Sequence, residues 1–240
     1  MSHENDYGFV RETLIDVKKR IEAACARAGR SPQDVTLVAV SKTHPVEAIR
    51  AAFAAGQRIF GENYGQELRD KAASLTDLAG LEWHFIGPLQ RNKVKYVVGT
   101  ATLVQSVDSV EILDEIEKRA AMRGVHVPCL VEVNIAGEST KSGLSPDEVG
   151  PLLDAFASRP HVSCHGLMTM PPFAEDPEEV RHYFRLLRSL RDTLSLTPRA
   201  RVDLRHLSMG MTQDFEVAIE EGATIVRVGT AIFGARSRGA

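Results

Sequence analysis

Val35-Thr36-Leu37-Val38-Ala39-Val40-Ser41-Lys42 is the stretch on which the reading of this chain turns. From Val35 to Val40 the residues are apolar apart from one threonine, and mostly β-branched. No polar alternation interrupts them, so the run predicts a strand buried on both faces, as in a parallel sheet. Ser31-Pro32 bounds it on one side and Thr43-His44-Pro45 on the other. The apolar run therefore ends just where a lysine begins.

Upstream, Phe9, Val10, Leu14, Val17, Ile21 and Ala24 recur at helical spacing, which predicts a helix from Tyr7 to Ala28 stopped by Gly29. Downstream the period alternates. Helices are expected over Val46–Ala55, Tyr64–Leu75, a segment ending at Val97, Val110–Met122, Pro146–Ala157, Pro177–Leu194 and Phe215–Glu221. Between them lie short apolar runs at Arg58–Phe60, Glu82–Ile86, Leu103–Val107, Cys129–Ile135, Val162–Met168, His206–Ser208 and Thr224–Val228. About eight strand–helix units with short connections make an α/β chain, a (β/α)8 TIM-type barrel with an extra N-terminal helix. Residues 1–240 are expected to form that single domain. An open doubly wound sheet would need a glycine-rich phosphate turn after its first strand. Ser41-Lys42-Thr43-His44-Pro45 contains no glycine, so the barrel is preferred.

Composition narrows the function. With 29 basic and 32 acidic side chains the net charge is −3, which gives no reason to expect a nucleic-acid or membrane partner. Cys25, Cys129 and Cys164 are odd in number and far apart, so neither a disulfide framework nor a metal site is expected. The segment Met1–Asp6 is polar, no apolar run is long enough to span a bilayer, and a cytoplasmic protein is expected.

In a parallel barrel the functional face lies at the C-terminal ends of the strands. Lys42 follows the first strand directly. There, desolvation favours the neutral, nucleophilic amine that condenses with aldehydes; the plain alternative is a lysine reaching back to solvent. Ser208-Met209-Gly210-Met211-Thr212 and Gly229-Thr230-Ala231-Ile232-Phe233-Gly234 follow the last two strands, where barrels of this kind often bind phosphate. Arg227 lies in an otherwise apolar strand and needs a partner, either an acid such as Glu132 or a ligand. Asn63 and His84 are candidates for lining a ligand, or are simply hydrogen-bonded strand residues. Lys141 sits in the polar loop Glu138–Gly143, and Glu178, Glu179 and the arginines from Arg181 to Arg191 read as the wet face of a helix.

Together these residues form a recurring set: Ala39-Val40-Ser41-Lys42-Thr43, Phe60-Gly61-Glu62-Asn63-Tyr64, Trp83-His84-Phe85-Ile86-Gly87, Leu89-Gln90, Asn92-Lys93, Lys141-Ser142-Gly143, Gly166-Leu167-Met168, Leu207-Ser208-Met209-Gly210-Met211 and Val226 to Gly234. Over nearly its whole length the chain resembles the pyridoxal phosphate homeostasis protein family, relatives of the alanine racemase barrel. The resemblance implies pyridoxal 5′-phosphate, the vitamin B6 cofactor, as a Schiff base on Lys42. It implies that Ser208, Gly229 and Thr230 hold the phosphate and that Arg227 lies near the ring nitrogen. Asn63, His84, Met168 and Met209 complete the expected cofactor-binding set. It further implies a monomer that buffers or delivers the cofactor, with apo pyridoxal-phosphate enzymes as clients and Lys141 taking part in transfer. Many bacterial relatives have a lysine where this chain has His44, so a role for that second lysine does not carry over.

No catalytic residues are expected. A racemase of this cofactor type needs a base on each face of the substrate plane, one from a second domain, and the sequence is read as ending at Ala240 just after barrel closure. Two alternatives stay open: a racemase or decarboxylase completed by oligomerisation, and a cofactor-free Schiff-base aldolase.

Overall fold

Strand and helix alternate until the sheet meets its own first strand. The computed structural model describes residues 7–138 and 141–235. Met1–Asp6, Ser139–Thr140 and the end of the chain at Ala240 lie outside the described residues. The strands are β1 (Thr36–Val40), β2 (Ile59–Glu62), β3 (Glu82–Phe85), β4 (Leu103–Val107), β5 (Val127–Glu132), β6 (Val162–Met168), β7 (Val202–Ser208) and β8 (Ile225–Val228). All neighbours are parallel, and β8 returns to β1 with Val38 opposite Arg227, so the barrel is closed. Around it run α1 (Val10–Arg27), α2 (Val46–Ala54), α3 (Gly65–Ser74), α4 (Val94–Val97), α5 (Val110–Arg123), α6 (Pro146–Ala155), α7 (Arg181–Ser195), α8 (Phe215–Glu220) and α9 (Thr230–Phe233).

Three expected elements shift. β7 begins at Val202, not His206, because exposed Asp203 and Arg205 alternate with buried Leu204 and hide the strand from a search for continuous apolar runs. β5 begins at Val127 and stops at Glu132; Val133 keeps only an isolated bridge to Leu144 as the chain turns away. The helix expected before Val97 is a single turn preceded by a 3-10 segment. The arginine face of α7 is not all wet, either. Arg181 binds Glu178, Glu220 and Glu221 at 2.6, 2.7 and 2.9 Å, and buried Glu221 draws in Arg185 as well. That cluster staples α7 to α8.

Two apolar compartments follow from strand alternation. Ala39, Phe60, Val104 and Leu167 point outward and pack with the helices. Val38, Leu103, Leu130, Met168 and Ile225 point inward and fill the barrel as one layer. On β1, Val38 belongs to that layer and Val40 lines a cavity above it. Continuing the two-residue period puts Lys42 at the mouth and Ser41 on the opposite side.

The extra helix α1 closes one flank. Thr13 Oγ1 donates to the Ile232 carbonyl at 2.7 Å, and Arg20 pairs with Glu216 at 3.0 Å, so α1 braces both α8 and the segment that follows β8. Among the described residues no helix is long and apolar enough to cross a membrane, and no cluster of ligands suits a metal ion.

Candidate functional site

A cavity of about 360 Å³ opens at the C-terminal ends of the strands, a size typical of small-molecule sites. Lys42 and His44, from the turn after β1, line it together with Asn63, Thr212, Asp214, Arg227, Gly229 and Thr230. Met170, Pro172 and Phe173 form an apolar rim. Phe173 is 75% exposed although it borders the cavity.

The position of each polar group has a local cause. Ser41 is fully buried behind β1, and its hydroxyl donates to Glu62 Oε1 at 2.6 Å. Burial pushes the Glu62 carboxyl up to about 7, against the pull of Lys71 and Ser41. Asn63 begins the loop after β2, and its backbone is held by Gly87. A Cβ on that glycine would meet the Asn63 carbonyl oxygen at 2.3 Å, so no larger residue fits there. Asn63 Oδ1 is buried with no hydrogen-bond partner among the described residues. An acceptor so placed costs free energy unless a ligand satisfies it. Gly229 lets the turn after β8 approach β1 closely, since a Cβ there would lie 3.2 Å from the Val40 carbonyl. Thr212 Oγ1 accepts from the Ala231 amide at 3.5 Å and ties the last two loops together.

Arg227 is the top of a hydrogen-bonded chain through the barrel. Its Nη1 donates to Ser208 Oγ at 2.6 Å and its Nη2 to the Thr169 carbonyl at 2.9 Å. Ser208 Oγ donates in turn to Gln105 Oε1 at 2.6 Å, and Gln105 Nε2 meets His84 Nδ1 at 2.9 Å. That direction makes His84 Nδ1 an acceptor, with the proton on Nε2. Burial, helped by the neighbouring His206, holds His84 down to about 4, so the ring is neutral. Burial also lowers Arg227 to about 10, with Glu132 and Asp214 opposing, and it stays charged at neutral pH.

A second cavity of about 310 Å³ adjoins the first and shares Met170, Phe173 and Met211 with it. Glu132, Asn134, Lys141 and Ser142 line it, and Lys141 pairs with Glu138 at 3.2 Å. Burial and the nearby Asp108 push Glu132 up to about 7, opposed by Arg227. The folded state thus keeps a proton that the unfolded chain releases above about 4.5, and this group's contribution to stability falls as pH rises from about 4.5 to 7. Glu132→Gln removes that slope. Its stability relative to the parent is expected to rise across this window, by on the order of 3 kcal/mol at most. Urea unfolding at the two ends of the window measures it, and a pH-independent difference would refute the assignment.

Of the residues expected to bind a ligand, Lys42, Asn63, Arg227, Gly229 and Thr230 line the main cavity. His84, Met168, Ser208 and Met209 do not. His84 and Ser208 lie in the chain beneath Arg227, Met168 belongs to the inner layer, and Met209 packs outward with the helices. The Glu132 alternative for Arg227 gives way to Ser208 and Thr169 as its direct partners, with Glu132 acting only through its charge. Gln105, Lys71 and Asp214 were missed, and Glu62 stood in a motif without a role of its own. The visible signal for Gln105 was a polar pair, Gln105-Ser106, inside the apolar run of β4. The i,i+4 pair Glu67 and Lys71 carried none, because it reads like any solvated helix face.

Known proteins place this geometry. Residues 14–237 match the family described as alanine racemase, N-terminal domain. A pyridoxal phosphate homeostasis protein of Aquifex aeolicus is 50% identical over 225 residues, spanning 94% of this chain and 97% of that protein. A crystal structure of an unknown protein from Bifidobacterium adolescentis superposes with a TM-score of 0.89 at 37% identity, covering 97% of this chain and 98% of that one. PipY of Synechococcus elongatus, solved with pyridoxal phosphate bound, gives 0.82 at 34% identity, covering 94% of this chain and 100% of that one.

Proposed function

This chain belongs to the alanine racemase N-terminal domain family, and on that premise we propose that it binds pyridoxal 5′-phosphate in cofactor homeostasis, as a Schiff base on Lys42 and without substantial turnover of its own. The observation that carries the reading is the convergence, in one cavity of fitting size, of a strand-end lysine, a glycine–threonine turn and a buried arginine. The cofactor supplies an aldehyde that condenses reversibly with amines. The neutral amine of Lys42 adds to that carbonyl carbon, one water leaves, and nothing is oxidised or reduced. Gly229 and Thr230 face the phosphate. Arg227 faces the ring nitrogen and keeps it unprotonated, which weakens the ring as an electron sink. Ser208 contributes by holding Arg227.

The lining also supports a carrier over an enzyme. Lys42 and His44 come from one turn and so stand on one side of the cavity, while Asp214 Oδ1 already accepts from the Met211 amide at 2.6 Å. Racemisation needs a base on each face of the substrate. The three cysteines, unpaired and buried, suit a reducing cytoplasm, and we take the working form to be a monomer that delivers to apo-enzymes. We assign Lys141, which lines the adjoining cavity, a part in cofactor transfer.

Borohydride reduction of the protein as isolated, followed by peptide mass spectrometry, tests the reading: a phosphopyridoxyl group on Lys42 is expected. Turnover with a broad amino-acid panel would refute the carrier, and failure to reactivate any apo-acceptor would refute delivery. The loops separate by role. Thr230→Ala is expected to weaken cofactor retention about tenfold while leaving apo stability within ~0.5 kcal/mol. Ser208→Ala is expected to lower apo stability by about 1–3 kcal/mol, because Arg227 and Gln105 lose a buried partner. Equilibrium dialysis and urea unfolding distinguish the two, and a Ser208→Ala protein of unchanged stability would break the scheme.

A further inference from the structure

Both peptide groups flanking the Lys42 Cα are tied to one charge cluster, buried at Lys71 and Glu62 and partly exposed at Glu67. The Ser41 carbonyl accepts from Lys71 Nζ at 2.7 Å, and the Thr43 amide donates to Glu67 Oε1 at 2.6 Å. Lys71 and Glu67 pair at 2.7 Å one turn apart on α3, and Lys71 also meets Glu62 Oε1 at 2.8 Å. Glu62 completes the ring by accepting from Ser41 Oγ. Lys71 is 7% exposed and Glu62 not at all.

Fixing the planes on either side of a residue fixes its φ and ψ, and with them the direction in which its side chain leaves the backbone and the rotamers open to it. The turn needs such restraint. Thr43 sits at φ 64°, a left-handed conformation that β-branched residues rarely adopt and that persists only where the surroundings over-determine it. The His44 amide also donates to the Ser41 carbonyl at 3.0 Å, so that one oxygen anchors both the turn and Lys71. Buried ion clusters rarely outperform apolar packing as a source of stability. Placing one directly behind the turn of the reactive lysine suits a different task.

We propose that Lys71, acting with Glu67 and Glu62, is a positioning residue that sets the direction in which the Lys42 amine enters the cavity. The proposal rests on the reading of Lys42 as the cofactor-bearing residue. Lys71 does not line the cavity, so it works through the backbone of residues 41–43.

Full-length apo protein mixed with pyridoxal 5′-phosphate provides the test. Imine formation is followed by absorbance across the neutral pH range, the product is fixed with borohydride and mapped by mass spectrometry, and the melting temperature is read in parallel. Lys71→Met is expected to slow condensation at Lys42 by roughly ten- to a hundredfold and to change its pH profile in protein that is still folded. Should that variant fail to fold, Glu67→Ala, at a side chain 23% exposed, is expected to slow it in the same direction. Glu67→Gln keeps an acceptor for the Thr43 amide and is expected to recover most of the lost rate. Folded variants with parental rate and pH profile would overturn the positioning role while Lys42 still carries the adduct. An adduct elsewhere in the parent protein would instead overturn the reading of Lys42 itself.

Discussion

Lys42→Ala is expected to abolish the borohydride-fixed pyridoxyl group and to weaken cofactor retention by at least about a hundredfold, or roughly 3 kcal/mol. The reason is that no other lysine lines the main cavity among the described residues; Lys141 lies in the adjoining one. On the proposal that Gly229 and Thr230 hold the phosphate, retention is not expected to fall to zero. Peptide mass spectrometry after reduction, with dialysis in parallel, gives both quantities. A reduced adduct on Lys141 in the variant, at the parental yield, would show that Lys42 is not the principal anchor.

Arg227→Met should have the largest effect on the fold, a loss of about 3 kcal/mol of stability in urea unfolding. Arg227 is 3% exposed and its two donors satisfy Ser208 and the Thr169 carbonyl. Methionine fills the space and satisfies neither. The change also removes the cation that opposes protonation of Glu132 and Asp214, so both carboxyls should move further up from values that burial already raises. Arg227→Lys keeps a charge but not the fork, and is expected to recover only part of the loss. On the proposal that Arg227 faces the ring nitrogen, the cofactor spectrum is expected to shift in both variants. A methionine variant as stable as the parent would show that the chain from Thr169 to His84 is not a unit.

The fold was legible because its signals are short in range. VTLVAV names a buried parallel strand by composition alone, and the two-residue period carries that reading to the orientation of Lys42. In the loops after β7 and β8 a single glycine says little, since loops need glycine anyway; only the two loops together pointed to a site, and Thr212, Gly229 and Thr230 line the main cavity. β7 itself was seen only in its last three residues because Asp203 and Arg205 broke the apolar run. The resemblance implies a phosphate contact for Ser208; what no local signal foretold is that its hydroxyl bonds to both Gln105 and Arg227.

The chain by itself determined the alternation of elements, the closure into a barrel, the strand end that bears Lys42 and the chemistry to which its motifs point. Tertiary structure alone decided which polar groups meet. Ser208 and Gln105 are 103 residues apart, and Lys71 lies 30 residues from the carbonyl that it anchors. Apolar periodicity survives in a one-dimensional string because burial acts on each residue separately. A hydrogen bond needs two particular atoms within about 3 Å of each other, and only the closed sheet brings such atoms together.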